Sequence, residues 1–156
     1  KGTPIGKLYE SDGILPFMRL YNSVTAETSQ GGSRKGALMI SLDACHREVE
    51  NFIHVKNNDT AIDKANLSLE IDDKFMNAVK AYYTNGETVT LHEKRSYSGH
   101  DIEYDIVPIK VYKAMCKNAW DWGDPACLYI NRFRNYNLME KDREYNIVTG
   151  NPCGSC

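Results

Sequence analysis

Short apolar runs alternate with stretches of helical periodicity along this chain, and that order restricts the possible fold more than any other feature of the sequence. From residue 14 the apolar positions Phe17, Met18, Tyr21 and Val24 recur at helical spacing, with Ser11 or Asp12 available as a cap, so a helix is expected to about residue 29. Gln30-Gly31-Gly32-Ser33 ends it. Residues 37–42 read as a short buried strand closed by Asp43, followed by a helical stripe of Val49, Phe52 and Ile53 and then a solvated loop at Lys56-Asn57-Asn58-Asp59. Leu67, Leu69 and Ile71 alternate with polar neighbours as in a strand, and Asp72 or Asp73 then opens a helix with the stripe Phe75, Val79 and Tyr82. Asn85-Gly86 is a turn, residues 88–91 form a candidate short strand, and residues 96–101 are polar and expected to be exposed. A last helix carries Ile109, Tyr112, Cys116, Ala119 and Trp120 on one face and stops near Gly123-Asp124-Pro125. Residues 126–130 resume as a strand, and 131–156 read as loop.

Strands separated by helical crossovers favour parallel pairing, so the expected class is α/β with mainly parallel strands. A free-standing doubly wound domain and a section of an α/β barrel would share this pattern. The 156 residues, 42% of them hydrophobic, suffice for one domain or part of one, and no repeat or linker marks a second. With 19 basic and 21 acidic side chains the formal charge is -2, which offers no broad basic field to nucleic acid and no polybasic segment to a membrane. No apolar run approaches the roughly 20 residues that cross a bilayer, and Lys1-Gly2-Thr3-Pro4-Ile5 lacks the regions of a signal peptide. A cytoplasmic protein with small-molecule or protein partners is expected. The first residue is not Met and the last six are turn-rich, so both ends look cut.

Five cysteines, Cys45, Cys116, Cys127, Cys153 and Cys156, are an odd number without regular spacing, which argues for reduced thiols rather than a secreted disulfide framework. Cys153-Gly154-Ser155-Cys156 has the spacing of a redox dithiol or half a zinc site, but no second pair completes a metal site. His46, His54, His92 and His100 are scattered, without metal-ligand spacing, and read as surface or helix-end residues. Cys116 and Cys127 fall within apolar periodicity and read as small core residues, with Trp120 and Trp122 as packing residues beside them. The segment from Gln30 to Gly36 is richer. Its glycines Gly31, Gly32 and Gly36 let backbone approach a ligand, while Arg34 and Lys35 suit phosphate or a base edge, although neither a phosphate-binding P-loop pattern nor a dinucleotide fingerprint is present. A solvated glycine-rich turn is the plain alternative.

Six stretches in order carry a resemblance: Thr3-Pro-Ile-Gly6, Ser11-Asp-Gly-Ile-Leu-Pro-Phe17, Ser29-Gln-Gly-Gly-Ser-Arg-Lys-Gly-Ala37, Glu48-Val-Glu-Asn-Phe-Ile53 with Lys56-Asn-Asn58, Gly123-Asp-Pro125 and Asn151-Pro-Cys-Gly154. Together they resemble the catalytic large subunit of ribonucleotide reductases, and Asn-Pro-Cys-Gly resembles the adenosylcobalamin-dependent class II branch. The resemblance covers essentially the whole chain and implies an interior portion of a ten-stranded α/β barrel. By it, residues 1–37 correspond to an effector and specificity-loop region, and residues 146–156 to a finger loop inside the barrel. Cys153 would then be the thiyl radical carrier that abstracts hydrogen from the ribose 3' carbon, and Asn151 would hold a ribose hydroxyl. Gln30 and Arg34, with Gly31, Gly32 and Lys35, would lie between substrate base and allosteric effector, with Asp12 toward the effector sugar. Implied partners are a ribonucleotide substrate, deoxynucleotide (dNTP) or ATP effectors, a thioredoxin-type reductant for the longer protein and a second copy in a homodimer. No nucleic acid, membrane or metal ligand is implied.

The pattern departs from the family at Ser155, where a glutamate base is usual, and serine cannot take that role at neutral pH. The reducing cysteine pair falls outside this segment, so the piece by itself should not turn over. An intein junction whose first residue is Cys156 would explain the ending, and truncation with a short tail explains it equally. Two readings from other classes stand beside the reductase: a small thiol-disulfide protein using Cys153 and Cys156, and a non-catalytic nucleotide-binding module using the segment from Gln30 to Ala37.

Overall fold

The computed structural model describes residues 1–5, 8–28, 36–58, 62–97, 99–137 and 147–150. The chain opens with a two-residue antiparallel pair, β1 (Pro4–Ile5) and β2 (Tyr9–Glu10), and enters α1 (Leu15–Glu27). Pro16 sits in the first turn of α1, where a missing N–H costs nothing. The expected side-chain cap from Ser11 or Asp12 does not form: Ile14 holds the cap position, and Ser11 Oγ instead accepts from the Gly13 N–H at 3.2 Å. β3 (Leu38–Asp43) follows, half-buried along its length and, among the described residues, at the edge of its sheet. Next come α2 (Val49–Ile53) and the single turn α3 (Val55–Asn58). The solvated loop expected at residues 56–59 is therefore partly helical, and Lys56 is engaged rather than free.

β4 (Ala65–Ile71) leads into α4 (Asp73–Asn85), capped by Asp72 accepting from Phe75 N at 2.7 Å and stopped by Gly86 at φ +78°. The sequence reading missed the next unit. Residues expected as a short strand and a polar stretch form a hairpin, β5 (Leu91–Tyr97) and β6 (His100–Ile106). Its charged residues disguised it: His92, Lys94, Asp101, Glu103 and Asp105 occupy alternate positions facing solvent, with His92 paired to Asp105 and Lys94 to Asp101. α5 (Pro108–Trp122) ends at Gly123, φ +79°. Its buried positions are Pro108, Ile109, Val111, Met115 and Asn118, so the expected stripe is rotated around the helix: Cys116 is exposed and Trp120 is 90% exposed, with Trp122 exposed as well. Both phases satisfy the helical period, and only the packing partner decides between them. β7 (Ala126–Tyr129) and α6 (Ile130–Asn135) complete the described elements, the latter replacing part of the expected loop.

β3, β4 and β7 form one parallel sheet with β4 central, in the register Leu38↔Ala65 to Asp43↔Glu70 and Ser68↔Ala126 to Ile71↔Tyr129. The expected α/β class with parallel strands is thus present, as three strands rather than a closed barrel among the described residues. The alternation of side chains divides the sheet. Leu67, Leu69 and Ile71 point into a core with Phe52, Phe75, Val79, Ile109 and Met115. Met39, Ser41, Asp43, Asn66, Ser68, Glu70 and Leu128 share the opposite face.

Two polar clusters tie loops to this sheet. Asp124 takes Lys56 Nζ at 2.5 Å on one oxygen and the Leu67 N–H at 3.2 Å on the other. Asn118 donates to the carbonyls of Ile53 and Asp124 and accepts from Asn57. The second cluster clamps the hairpin over the end of β3: Arg95 meets Asp43 at 2.5 Å, Lys74 meets Glu93 at 2.7 Å, and the Tyr104 hydroxyl donates to the Cys45 carbonyl at 3.0 Å. No helix among the described residues is long and apolar enough to cross a membrane.

Candidate functional site

The polar face of the parallel sheet is the site toward which the described structure converges. A face carrying Ser41, Asp43, Asn66, Ser68 and Glu70 has no place in an apolar core, and the sheet instead leaves it to a short covering segment. Residues 147–150 cross it. Arg134 Nε donates to the Ile147 carbonyl at 3.2 Å, Ser41 Oγ and Thr149 Oγ1 lie 3.0 Å apart, and a methyl on Gly150 would rest 3.7 Å from Leu128. The chain thus passes from the α6 side across to β3 immediately before Asn151 and Cys153 in sequence. Ser41 Oγ also donates to Glu70 Oε1 at 2.7 Å, and Ser68 donates to Met39 Sδ at 3.5 Å.

Around the N-terminal segment, Asp12 is exposed between β2 and α1. Its neighbour Gly13 is required twice over: φ is +89°, and a Cβ would fall 2.1 Å from Glu48 Oε1. A cavity of about 330 Å³ lies beside α1 and β3, with Phe17, Met18, Tyr21, Leu42 and Phe52 among its walls. Gly36 packs against Thr25, where a Cβ would meet both Cγ2 and the carbonyl oxygen at 2.9 Å, so the chain returns at residue 36 to the end of the helix it left at residue 28. Thr28 and Gly36, the described residues that flank the glycine-rich stretch, thus lie together.

Two titratable groups near the end of β3 are held neutral. Burial first, then the carboxylates of Asp43, Glu93 and Asp72, push the Cys45 thiol up to about 12, so this cysteine is a poor nucleophile. Burial lowers the His46 pKa, and His46 Nδ1 accepts the Glu48 N–H at 3.1 Å, a bond that a protonated ring could not accept. Cys45, Cys116 and Cys127 are free thiols. Among the described residues no cluster of histidine, cysteine and carboxylate side chains could hold a metal ion.

Residues 1–155 match the family model described as ribonucleotide reductase, barrel domain. The chain belongs to this family. Among curated relatives, it is 30% identical over 145 residues to the vitamin B12-dependent ribonucleoside-diphosphate reductase of Mycobacterium tuberculosis, a match covering 92% of this chain and 20% of the relative. It is 26% identical to the protein of the same name in Thermoplasma acidophilum, covering 92% of this chain and 18% of the relative. It is 28% identical to the ribonucleoside-diphosphate reductase large chain of Schizosaccharomyces pombe, covering 89% and 20%. The chain therefore spans about a fifth of the length of the curated relatives it matches.

Of the residues singled out from sequence, the structure places Asp12. Gln30, Gly31, Gly32, Arg34, Lys35, Asn151, Cys153 and Cys156 lie outside the described residues. Sequence reasoning missed Ser41, Glu70 and Thr149. The signal was available in part, since Ser68 and Glu70 alternate with Leu67, Leu69 and Ile71. Polar residues on one face of a strand whose other face is apolar mark a surface that is not packed into the apolar core. Lys56 and Asp124, two residues of the family-like motifs, prove to be partners across the fold.

Proposed function

We propose that this chain is part of the catalytic barrel of a ribonucleotide reductase large subunit, whose parent converts ribonucleotides to 2'-deoxyribonucleotides. The observation that carries the reading is the family match across residues 1–155. It is supported by the parallel sheet whose polar face is crossed by the segment leading to Asn151 and Cys153. In this reading the three described strands belong to a ten-stranded barrel, and residues 146–156 form its finger loop. Cys153 carries a thiyl radical and takes hydrogen from the ribose 3' carbon, while Asn151 holds a ribose hydroxyl through an amide that can donate and accept at once. A protein interior protects such a radical from quenching by solvent.

The stretch holding Gln30, Gly31, Gly32, Arg34 and Lys35 links effector to substrate base, with Asp12 toward the effector sugar. The joined ends of that stretch, at Thr28 and Gly36, suit an element whose shape must respond as a unit. The exposed apolar positions Phe17, Leu20, Tyr21 and Val24 on α1 suit contact with a second copy. A thioredoxin-type reductant and a cytoplasmic address complete the assignment. The segment by itself is inactive, since it lacks the reducing cysteine pair.

The names of the Mycobacterium and Thermoplasma relatives favour adenosylcobalamin as the radical source. The cavity beside α1, about 330 Å³, lies at the small end of the range for drug-sized ligands and does not fit a corrin. This reading assigns the cofactor site to the rest of the parent.

The test is reduction of ribonucleoside di- and triphosphates by the full-length parent, with and without adenosylcobalamin. Cobalamin-dependent deoxynucleotide formation that disappears in Cys153→Ala is expected. Full activity in that variant would remove Cys153 from the chemistry, and no reduction of any ribonucleotide would remove the function.

A further inference from the structure

Three hydroxyl and carboxyl groups on the sheet's polar face form a directed chain. Ser41 Oγ lies 2.7 Å from Glu70 Oε1 and 3.0 Å from Thr149 Oγ1. A carboxylate only accepts, and a serine hydroxyl has one proton to give. Ser41 gives that proton to Glu70, so Thr149 must donate to Ser41, and the order runs Thr149 to Ser41 to Glu70. Because the terminal acceptor is a carboxylate, the first link is charge-assisted, and hydrogen-bonded hydroxyls in series strengthen one another. The geometry is set by regular structure: Ser41 and Glu70 sit on adjacent parallel strands in fixed register, Ser41 opposite Ser68 and Asp43 opposite Glu70. Gly150, next in the chain, lies against Leu128 on the third strand. The segment is therefore pinned at two neighbouring residues, by a polar contact to β3 and an apolar one to β7.

We propose that Ser41 and Glu70 are positioning residues for the reaction: through Thr149 they fix the position of the chain two residues before Asn151 and four before Cys153. This rests on the reading of Cys153 as the radical carrier. Thr149 precedes Asn151 by two residues and Cys153 by four, so freedom at this anchor is passed directly to the groups that must meet the substrate. Rates of reactions that depend on near-attack geometry fall by about a hundredfold for a displacement on the order of 1 Å. Loss of one of two neighbouring anchors should cost less than that. Neither Ser41 nor Glu70 belongs to the apolar core, so replacing them spares the packing that holds the fold.

The experiment uses the full-length parent reductase with Ser41→Ala, Thr149→Val and the conservative Ser41→Thr, which keeps the hydroxyl. Turnover is measured together with hydrogen exchange of the peptide covering residues 147–150. Expected are a roughly tenfold lower kcat with KM within about twofold in Ser41→Ala and Thr149→Val, faster exchange in that peptide, and recovery of both in Ser41→Thr. Thermal midpoints should match the unchanged protein, which separates positioning from folding. Wild-type kcat and exchange in both Ser41→Ala and Thr149→Val overturn the proposal, as does a raised KM at constant kcat. Should Cys153→Ser retain turnover, the functional reading fails by itself, while the exchange comparison still decides whether the anchor exists.

Discussion

Replacing Asp124 by alanine should destabilise the chain by about 3 kcal/mol. The side chains of Lys56 and Asp124 are 19% and 16% exposed, so the pair is neither a screened surface contact nor fully dry. Exposed pairs contribute about 0–1 kcal/mol, whereas removing one member of a fully buried pair costs about 3–5 kcal/mol. The Asp124 variant also strips the acceptor from the Leu67 N–H at the start of β4, and an orphaned buried donor costs about 1–3 kcal/mol. A sum near the middle of these ranges corresponds to a fall in Tm of roughly 6–12 °C for a domain of this size.

Two companions divide the effect. Asp124→Asn keeps an oxygen for the Leu67 N–H while losing the charge and should cost about 1–2 kcal/mol; Lys56→Met should cost a similar amount, about 1–2 kcal/mol. Because Asn118 independently holds the Asp124 carbonyl, the loop stays in place and the loss reports the carboxylate. Urea unfolding followed by circular dichroism measures all three, and the double variant Lys56→Met with Asp124→Ala should be less destabilised than the sum of its parts by about 1–2 kcal/mol. Additivity within about 0.3 kcal/mol, or a loss below about 1 kcal/mol for Asp124→Ala, would refute the argument.

Thiol labelling of the native chain at pH 8 should modify exposed Cys116 rapidly and spare Cys45 until the chain unfolds; equal rates would contradict the burial of Cys45. Because the folded Cys45 pKa lies above its ordinary 9.0, its contribution to stability is complete below pH 9 and is lost as pH rises toward 12, so Cys45→Ala should flatten the alkaline fall in urea midpoint. His46 runs the other way: its folded pKa lies below 6.5, its contribution is present above that pH and is lost as pH falls, and His46→Asn should weaken the acid dependence of unfolding. Asp72→Ala removes the cap of α4 and should cost about 1 kcal/mol, with faster hydrogen exchange confined to that helix's first turn as the distinguishing readout.

What the sequence disclosed follows from the range of the forces involved. β4 and the cap and stop of α4 were legible because Leu67, Leu69, Ile71, Asp72 and Gly86 act through neighbours in the chain. The phase of α5 was not, because Cys116 and Met115 are equally compatible with a helix and only the facing core chooses Met115. The hairpin escaped because its stabilising pairs, such as His92 with Asp105, are cross-strand contacts that a linear reading treats as hydrophilic filler. At the site, the motif residues could be named by resemblance, whereas Ser41, Glu70 and Thr149 meet only through folding, with 108 residues between the first and last of them in sequence separation.

The two faces of β4 divide the requirements of the protein between them. Its odd-numbered side chains answer to the core, where adding or removing a methylene is felt throughout. Its even-numbered side chains answer to whatever is held above the sheet. Substitutions on one set can therefore accumulate with little effect on the other, which allows selection, or an engineer, to reshape the chemistry above Ser68 and Glu70 while the scaffold beneath keeps its stability.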